Sequence, residues 1–220
     1  MEKHTVIAID GPAGSGKSTV AKLIAGRLNF VYIDTGAMYR ALTLKAMREK
    51  IDLEDAAALT ELARATKIDL AHDAGLKVFL DGEDVTGLIR TPELTNNVKH
   101  VAGVAGVRSE MVKLQQAIGR RRSSVLEGRD IGTVVFPDAQ YKFYLDAHIE
   151  ERTKRRHKEL LESGMHVTLD AMKQDIETRD TSDIERKVGA LKKAEDAVVV
   201  DTTHLTIDEV VEKLLSHIRP

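Results

Sequence analysis

Residues 11–19 read Gly-Pro-Ala-Gly-Ser-Gly-Lys-Ser-Thr, and these types at this spacing suit holding phosphate. In the stretch Gly11, Pro12, Ala13, Gly14, Ser15 and Gly16, the glycines let the backbone turn its N–H groups inward around anionic oxygens. Lys17 supplies a point charge for the β and γ phosphates of a nucleotide, and the Ser18 hydroxyl suits a magnesium ion. Thr19 leads into a helix whose positive end points at the same anion. A flexible glycine turn with no ligand needs no particular flanks. Here a short β-branched run at 5–10 precedes the loop, and Val20, Leu23, Ile24 and Leu28 follow at helical spacing. Lys22 and Arg27 are left for the wet face of that helix.

Further elements must position this loop. Residues 31–34, 124–127, 141–145 and 197–200 read as further short strands, the last of them buried. Helical patterns cover 37–50, 54–65, the region from Thr91 to about Arg122, 150–163 ending at Gly164, and 169–180. Thr206 and Glu209 form a capping box ahead of an apolar stripe from Ile207 to Ile218. Between them, 67–70 and 76–80 read as strands, and Asp81-Gly82 is a hairpin turn. This small antiparallel unit interrupts an alternation of strands and helices. The alternation predicts an α/β fold with a parallel sheet and right-handed crossovers. Ligands then bind beyond the carboxyl ends of the strands. Asp34-Thr35-Gly36, Gly128-Arg129-Asp130 and Asp146-Ala147-His148 fall at those ends beside the loop.

Bulk properties narrow the class. The 220 residues are 42% hydrophobic but only 4% aromatic, with no Trp, so the core is aliphatic. A net charge of −2 speaks against a general nucleic-acid binder. Absence of Cys removes disulfides, thiol nucleophiles and Cys metal sites, and the eight His residues form no evident metal cluster. No stretch reaches the roughly 20 apolar residues of a membrane span, and no signal peptide is visible, so a cytoplasmic location is expected. The guanine-reading Asn-Lys-x-Asp of GTPases is missing, and the chain is short for a helicase. Arginines spaced downstream of the loop suit two phosphorylated ligands meeting in one cleft.

Four segments together carry a resemblance: 11–19; Asp34-Thr35-Gly36-Ala37-Met38-Tyr39-Arg40; Glu127-Gly128-Arg129-Asp130-Ile131-Gly132-Thr133; and Arg179-Asp180-x-x-Asp183. With Gly82-Glu83-Asp84-Val85-Thr86 and Ile89-Arg90-Thr91, they resemble the bacterial cytidylate kinases in family order along nearly the whole chain. The resemblance implies an α/β phosphate-loop NTPase fold. Its parallel five-stranded sheet would be flanked by helices, with a small antiparallel-β and helical monophosphate-binding insert and a helical lid. It implies one nucleoside monophosphate kinase domain over 1–220. The core would span about 1–36, 106–148 and 187–220, the insert about 37–105 and the lid about 149–186. The implied reaction is phosphoryl transfer from ATP to CMP or dCMP with Mg²⁺. A monomer without membrane or nucleic-acid partners is expected.

The resemblance also implies roles. Residues 11–19 bind ATP, with Lys17 catalytic and Ser18 on the metal. Thr35, Tyr39 and Arg40 line the acceptor site, Arg40 and Arg129 take the acceptor phosphate, and Asp130 and Arg108 read the base. Arg179 and Asp183 reach the acceptor phosphate and ribose. Arg155, Arg156 and Arg186 are candidates for stabilising the transferring charge. On composition alone, Arg152, Arg155 and Arg156 form a solvated, salt-bridged helix face, and Arg120-Arg121-Arg122 a solvated helix end. One position departs from the family pattern: Lys99 stands where a small hydroxyl residue often helps hold the base. Two other readings stay open, a phosphate-loop kinase for adenylate, UMP or a hydroxy metabolite, and a nucleotide-sensing module without turnover.

Overall fold

The computed structural model describes residues 4–72, 75–162 and 164–218. Five parallel strands form the central sheet: β1 (Val6–Asp10), β2 (Val31–Asp34), β6 (Ser124–Gly128), β7 (Tyr141–Asp146) and β8 (Val198–Asp201), in the order β2-β6-β1-β7-β8. The strand β1, apolar up to Asp10 at its end, sits in the middle, as a strand covered on both faces should. One face packs α1 (Lys17–Leu28) and α8 (Ile207–His217) through Ile7, Ile9, Val20, Ile24, Phe143 and Val211. The other packs α2 (Thr35–Arg48), α3 (Ala56–Ala65) and α5 (Ala105–Gly119) through Ala8, Ile33, Met38, Leu42, Leu59 and Met111.

Between β2 and β6 the chain makes the expected antiparallel excursion. The strands β3 (Ile68–Ala71), β4 (Lys77–Leu80) and β5 (Glu83–Asp84) form a separate three-stranded sheet. Leu80 pairs with Glu83 across a two-residue turn in which Asp81 (φ 50°) and Gly82 (φ 89°) are both left-handed. This is the backbone a type I′ hairpin requires. The helical region from Thr91 divides at Val104 into α4 (Pro92–Gly103) and α5. Beyond β7 come α6 (Ile149–Glu162) and α7 (Leu169–Glu185), and Gly164 follows α6 with φ 77°. Ser163, read as the end of that helix, lies outside the described residues, as do the first three residues of the chain.

Three expectations change. Leu23, read as part of the buried stripe of α1, is 39% exposed. The strand read as buried, β8, is an edge strand, where only Val200 is buried and Val199 is 48% exposed. Arg152 is 7% exposed, so it is not on a solvated face. The arginines at 120–122 are exposed, as expected of a helix end. No described helix is long and apolar enough to cross a membrane.

Candidate active site

The loop after β1 takes the left-handed backbone its glycines allow, with φ 151° at Gly11, 76° at Gly14 and 87° at Gly16. A Cβ on Gly11 would stand 2.0 Å from the Leu145 carbonyl oxygen, so glycine is obligatory there. Side chains cap α2, α3, α4, α7 and α8, whereas α1 starts at Gly16 with none. Its first-turn amides therefore remain open to an anion. Lys17 is 4% exposed and its Nζ donates to the Pro12 carbonyl at 2.7 Å. Burial, reinforced by repulsion from Arg129, lowers its pKa to about 7. Ser18 and Thr19 are exposed at the mouth of the loop.

A second group gathers beyond β2 and β6. Asp34 caps α2 by accepting from Ala37 N at 2.7 Å and also holds Arg40 Nη2 at 3.2 Å. Arg40 Nε is buried without a partner among the described residues. Thr35 Oγ1 donates to the Glu127 carbonyl at 2.7 Å, clamping the start of α2 to β6. After β6 the chain enters a π-helical turn, Ile131–Val135. Asp10, at the end of β1, accepts from the amides of Ile131 and Gly132, each at 2.8 Å. Burial raises the Asp10 pKa to about 6 against the pull of those two bonds. This anchor fixes Arg129 and Asp130 just ahead of the turn. Asp130 is 5% exposed and pairs with Arg108 of α5, itself 3% exposed. The Arg108 guanidinium lies 5.4 Å from the centroid of the Tyr39 ring, and its buried Nε has no hydrogen-bond partner among the described residues. Lys99 is exposed on α4.

From α7, Asp183 reaches into the same space. It accepts from Arg129 Nε at 2.7 Å and pairs with Arg186. Burial opposes its ionisation, but Arg129 and Arg186 hold its carboxyl below the usual range. Arg179 is held only loosely by Asp175, at 3.8 Å, and burial followed by the charge of Arg129 lowers its pKa. The guanidinium excess here is what a bound anion would relieve.

The charged helix α6 divides its arginines in a way composition did not show. Arg155 donates to Thr202 Oγ1 at 3.0 Å and to the Thr202 carbonyl at 2.6 Å, and Arg156 pairs with Glu159 at 2.8 Å. Arg152 reaches the loop, donating to the Ala13 carbonyl at 3.0 Å and to Asp180 at 2.5 Å. Asp180 accepts in turn from Ala13 N at 3.3 Å. The Ala13 residue is thus gripped on both sides by α6 and α7. Only Arg152 and Thr153 of α6 are buried.

A glycine cradle with a buried lysine, facing clustered arginines, can bring two phosphorylated molecules together and neutralise them. Comparison with known proteins decides the family. The family model described as cytidylate kinase matches residues 7–220. The chain belongs to the cytidylate kinase family. It is accordingly a phosphotransferase. It is 54% identical over 216 residues to a cytidylate kinase of Desulforamulus reducens, covering 98% of this chain and 97% of that one. The identity to a cytidylate kinase of Bacillus licheniformis is 50% over 217 residues, covering 98% and 96%. Among solved structures, a protein of Eubacterium ventriosum superposes with a TM-score of 0.55 at 13% identity, covering 98% of both chains. Shikimate kinase of Bacteroides thetaiotaomicron does so with 0.50 at 14%, covering 97% of both. These two likenesses concern the fold alone.

Proposed function

We propose that the protein transfers the γ-phosphoryl group of ATP to CMP or dCMP in a magnesium-dependent reaction of pyrimidine nucleotide metabolism. The observation that carries this reading is the buried Arg108–Asp130 pair beside Arg129, at the end of β6, the strand next to the one that leads into the open loop. An acid next to a phosphate-suited arginine can read a base and hold its phosphate together. Asp130 accepts a hydrogen bond from the cytosine amino group, whereas uracil would turn a carbonyl against the carboxylate. Arg108, with a free buried Nε, donates to the base carbonyl.

In this reading the amides of residues 11–19 and Lys17 hold the ATP phosphates, while Arg40, Arg129 and Arg179 hold the acceptor phosphate. Thr35 and Tyr39 line its site, and Asp183 takes the ribose hydroxyls. Ser18, exposed at the mouth of an uncapped helix, fits a magnesium ion, which when bound spreads charge over the donor phosphates. The acceptor phosphate is already a nucleophile when ionised, so the protein contributes positioning and charge neutralisation. Arg186, steadied by Asp183, with Arg155 and Arg156, supplies charge for the transferring group. Arg155 must leave Thr202 to do so. Closure of the segments about 37–105 and 149–186 over the core would exclude water and suppress ATP hydrolysis. A coupled ADP-release assay across CMP, dCMP, UMP, AMP and shikimate tests the reading. Turnover is expected with CMP and dCMP, and its failure with both would sink the proposal.

A further inference from the structure

The phosphate loop is gripped from outside by one ion pair. Arg152, in the first turn of α6, donates from Nη1 to the Ala13 carbonyl at 3.0 Å and from Nε to the Ala147 carbonyl just beyond β7 at 2.9 Å. Nη1 also meets one oxygen of the Asp180 carboxylate of α7 at 2.5 Å. The other oxygen of that carboxylate accepts from Ala13 N at 3.3 Å. Both backbone polar atoms of Ala13 are therefore held by this pair. One residue further on, a Cβ at Gly14 would stand 3.0 Å from the Arg152 carbonyl oxygen, so the first turn of α6 lies against the loop itself.

The pair differs from its neighbours in burial. Lys173 and Glu150 also join α7 to α6, but their side chains are 42% and 63% exposed, against 9% and 14% for Arg152 and Asp180. An exposed pair contributes little. A buried pair must offset its desolvation, and apolar residues at both positions would serve stability as well. An acid bonded to a loop that receives anions also works against them unless a cation neutralises it. What Arg152 and Asp180 add is a fixed relation between the loop and α7. Asp180 follows Arg179 and precedes Asp183 by three residues, so all three share one turn of that helix. Its bond to Ala13 sets the residues assigned to the acceptor in register with the loop assigned to the donor.

We propose that Asp180 and Arg152 are positioning residues that make donor and acceptor binding interdependent. The inference rests on the ATP and CMP reading above and gives a role to two residues that the reading leaves without one. When a triphosphate settles the loop, Ala13 brings α7 to the setting in which Arg179 and Asp183 meet the acceptor. By linkage, the acceptor tightens the donor by the same factor. Both residues act through the Ala13 backbone rather than by contact with a ligand.

Calorimetric titration of the full chain tests this. CMP binding is measured with and without the magnesium complex of the non-hydrolysable analogue AMP-PNP, and AMP-PNP binding with and without CMP. Wild type is expected to bind CMP at least about fivefold more tightly when AMP-PNP is present, with the same factor in the reverse order. In Asp180→Ala the factor is expected to fall to about one, while each ligand alone binds within about twofold of wild type. If Asp180→Ala folds poorly, Asp180→Asn, which removes the charge facing Arg152, must show the same loss. A merely structural role would weaken both ligands singly and leave the factor unchanged. That result overturns the proposal, as does a wild-type protein in which neither ligand affects the other. Failure of wild type to bind or phosphorylate CMP overturns the reading of the site, and this inference with it. Wild-type turnover of CMP with an unchanged factor in the variants removes the coupling alone.

Discussion

Lys17 is only about half charged at neutral pH until an anion arrives. Its pKa near 7 comes from burial and from the charge of Arg129, and the negative charge of a bound phosphate would offset both by favouring the protonated amine. Nucleotide binding should therefore take up a proton above pH 7. Calorimetry at pH 8 in buffers of different ionisation enthalpy is expected to show this uptake, and Lys17→Arg to abolish it. The sign follows from linkage: the free protein loses the Lys17 proton as pH rises through 7, so affinity for ATP falls by up to about tenfold per pH unit beyond it. Asp183 offers a second test. Its proposed contact with the ribose hydroxyls predicts that Asp183→Ala slows CMP more than dCMP in the ADP-release assay, and equal slowing would remove it from the ribose. Arg155→Ala and Arg156→Ala should each lower kcat, by about 10³-fold where the side chain acts as an arginine finger. Near-normal kcat in both would overturn the assignment of 149–186 as a lid over the ATP phosphates. Residues embedded in local patterns, such as those of the loop, were legible in the sequence. Arg152 was not, because its partners Ala13 and Asp180 are respectively 139 and 28 residues away and no local spacing reports them.

At the scale of elements, the hairpin, the capped helices and the five core strands followed from turn chemistry and periodicity. The π-helical turn did not. Its shape depends on two amides bonded to the Asp10 carboxylate from another strand, a contact spanning 121 residues and more. The edge position of β8 was hidden for a similar reason, since an apolar run states that a strand is buried without saying on how many sides. The grip of α6 and α7 on Ala13 carries its own prediction. Arg152→Ala leaves Asp180 without its main counter-charge in a half-closed space and should destabilise the fold by on the order of 3 kcal/mol. Urea unfolding measures the loss. Asp180→Asn, which removes the stranded charge, should cost less, and the reverse order would show that Arg152 acts by packing alone.

For the molecule as a whole, the proposed reading places ligand atoms near Arg40 Nε and Arg108 Nε, which have no partner among the described residues, and at the open start of α1. Ligand and stability are thus coupled. At a hundred times its dissociation constant, a ligand adds about 2.7 kcal/mol, which in a chain of this size raises Tm by about 5–10 °C. Calorimetric scans with CMP and with AMP should differ accordingly, CMP giving the shift and AMP little. The architecture was readable because strand and helix alternate, but strand order was not written in any local pattern. That order has a consequence for the growing polypeptide on the ribosome. The central strand β1 is the first to be made, yet it lies between β6 and β7, pairing Val6 with Ser124 and Ile7 with Tyr141. Well over a hundred residues must be synthesised before either neighbour exists. Throughout that interval an apolar strand with two open edges is exposed, which makes the nascent chain a client for chaperones and a hazard for misassembly.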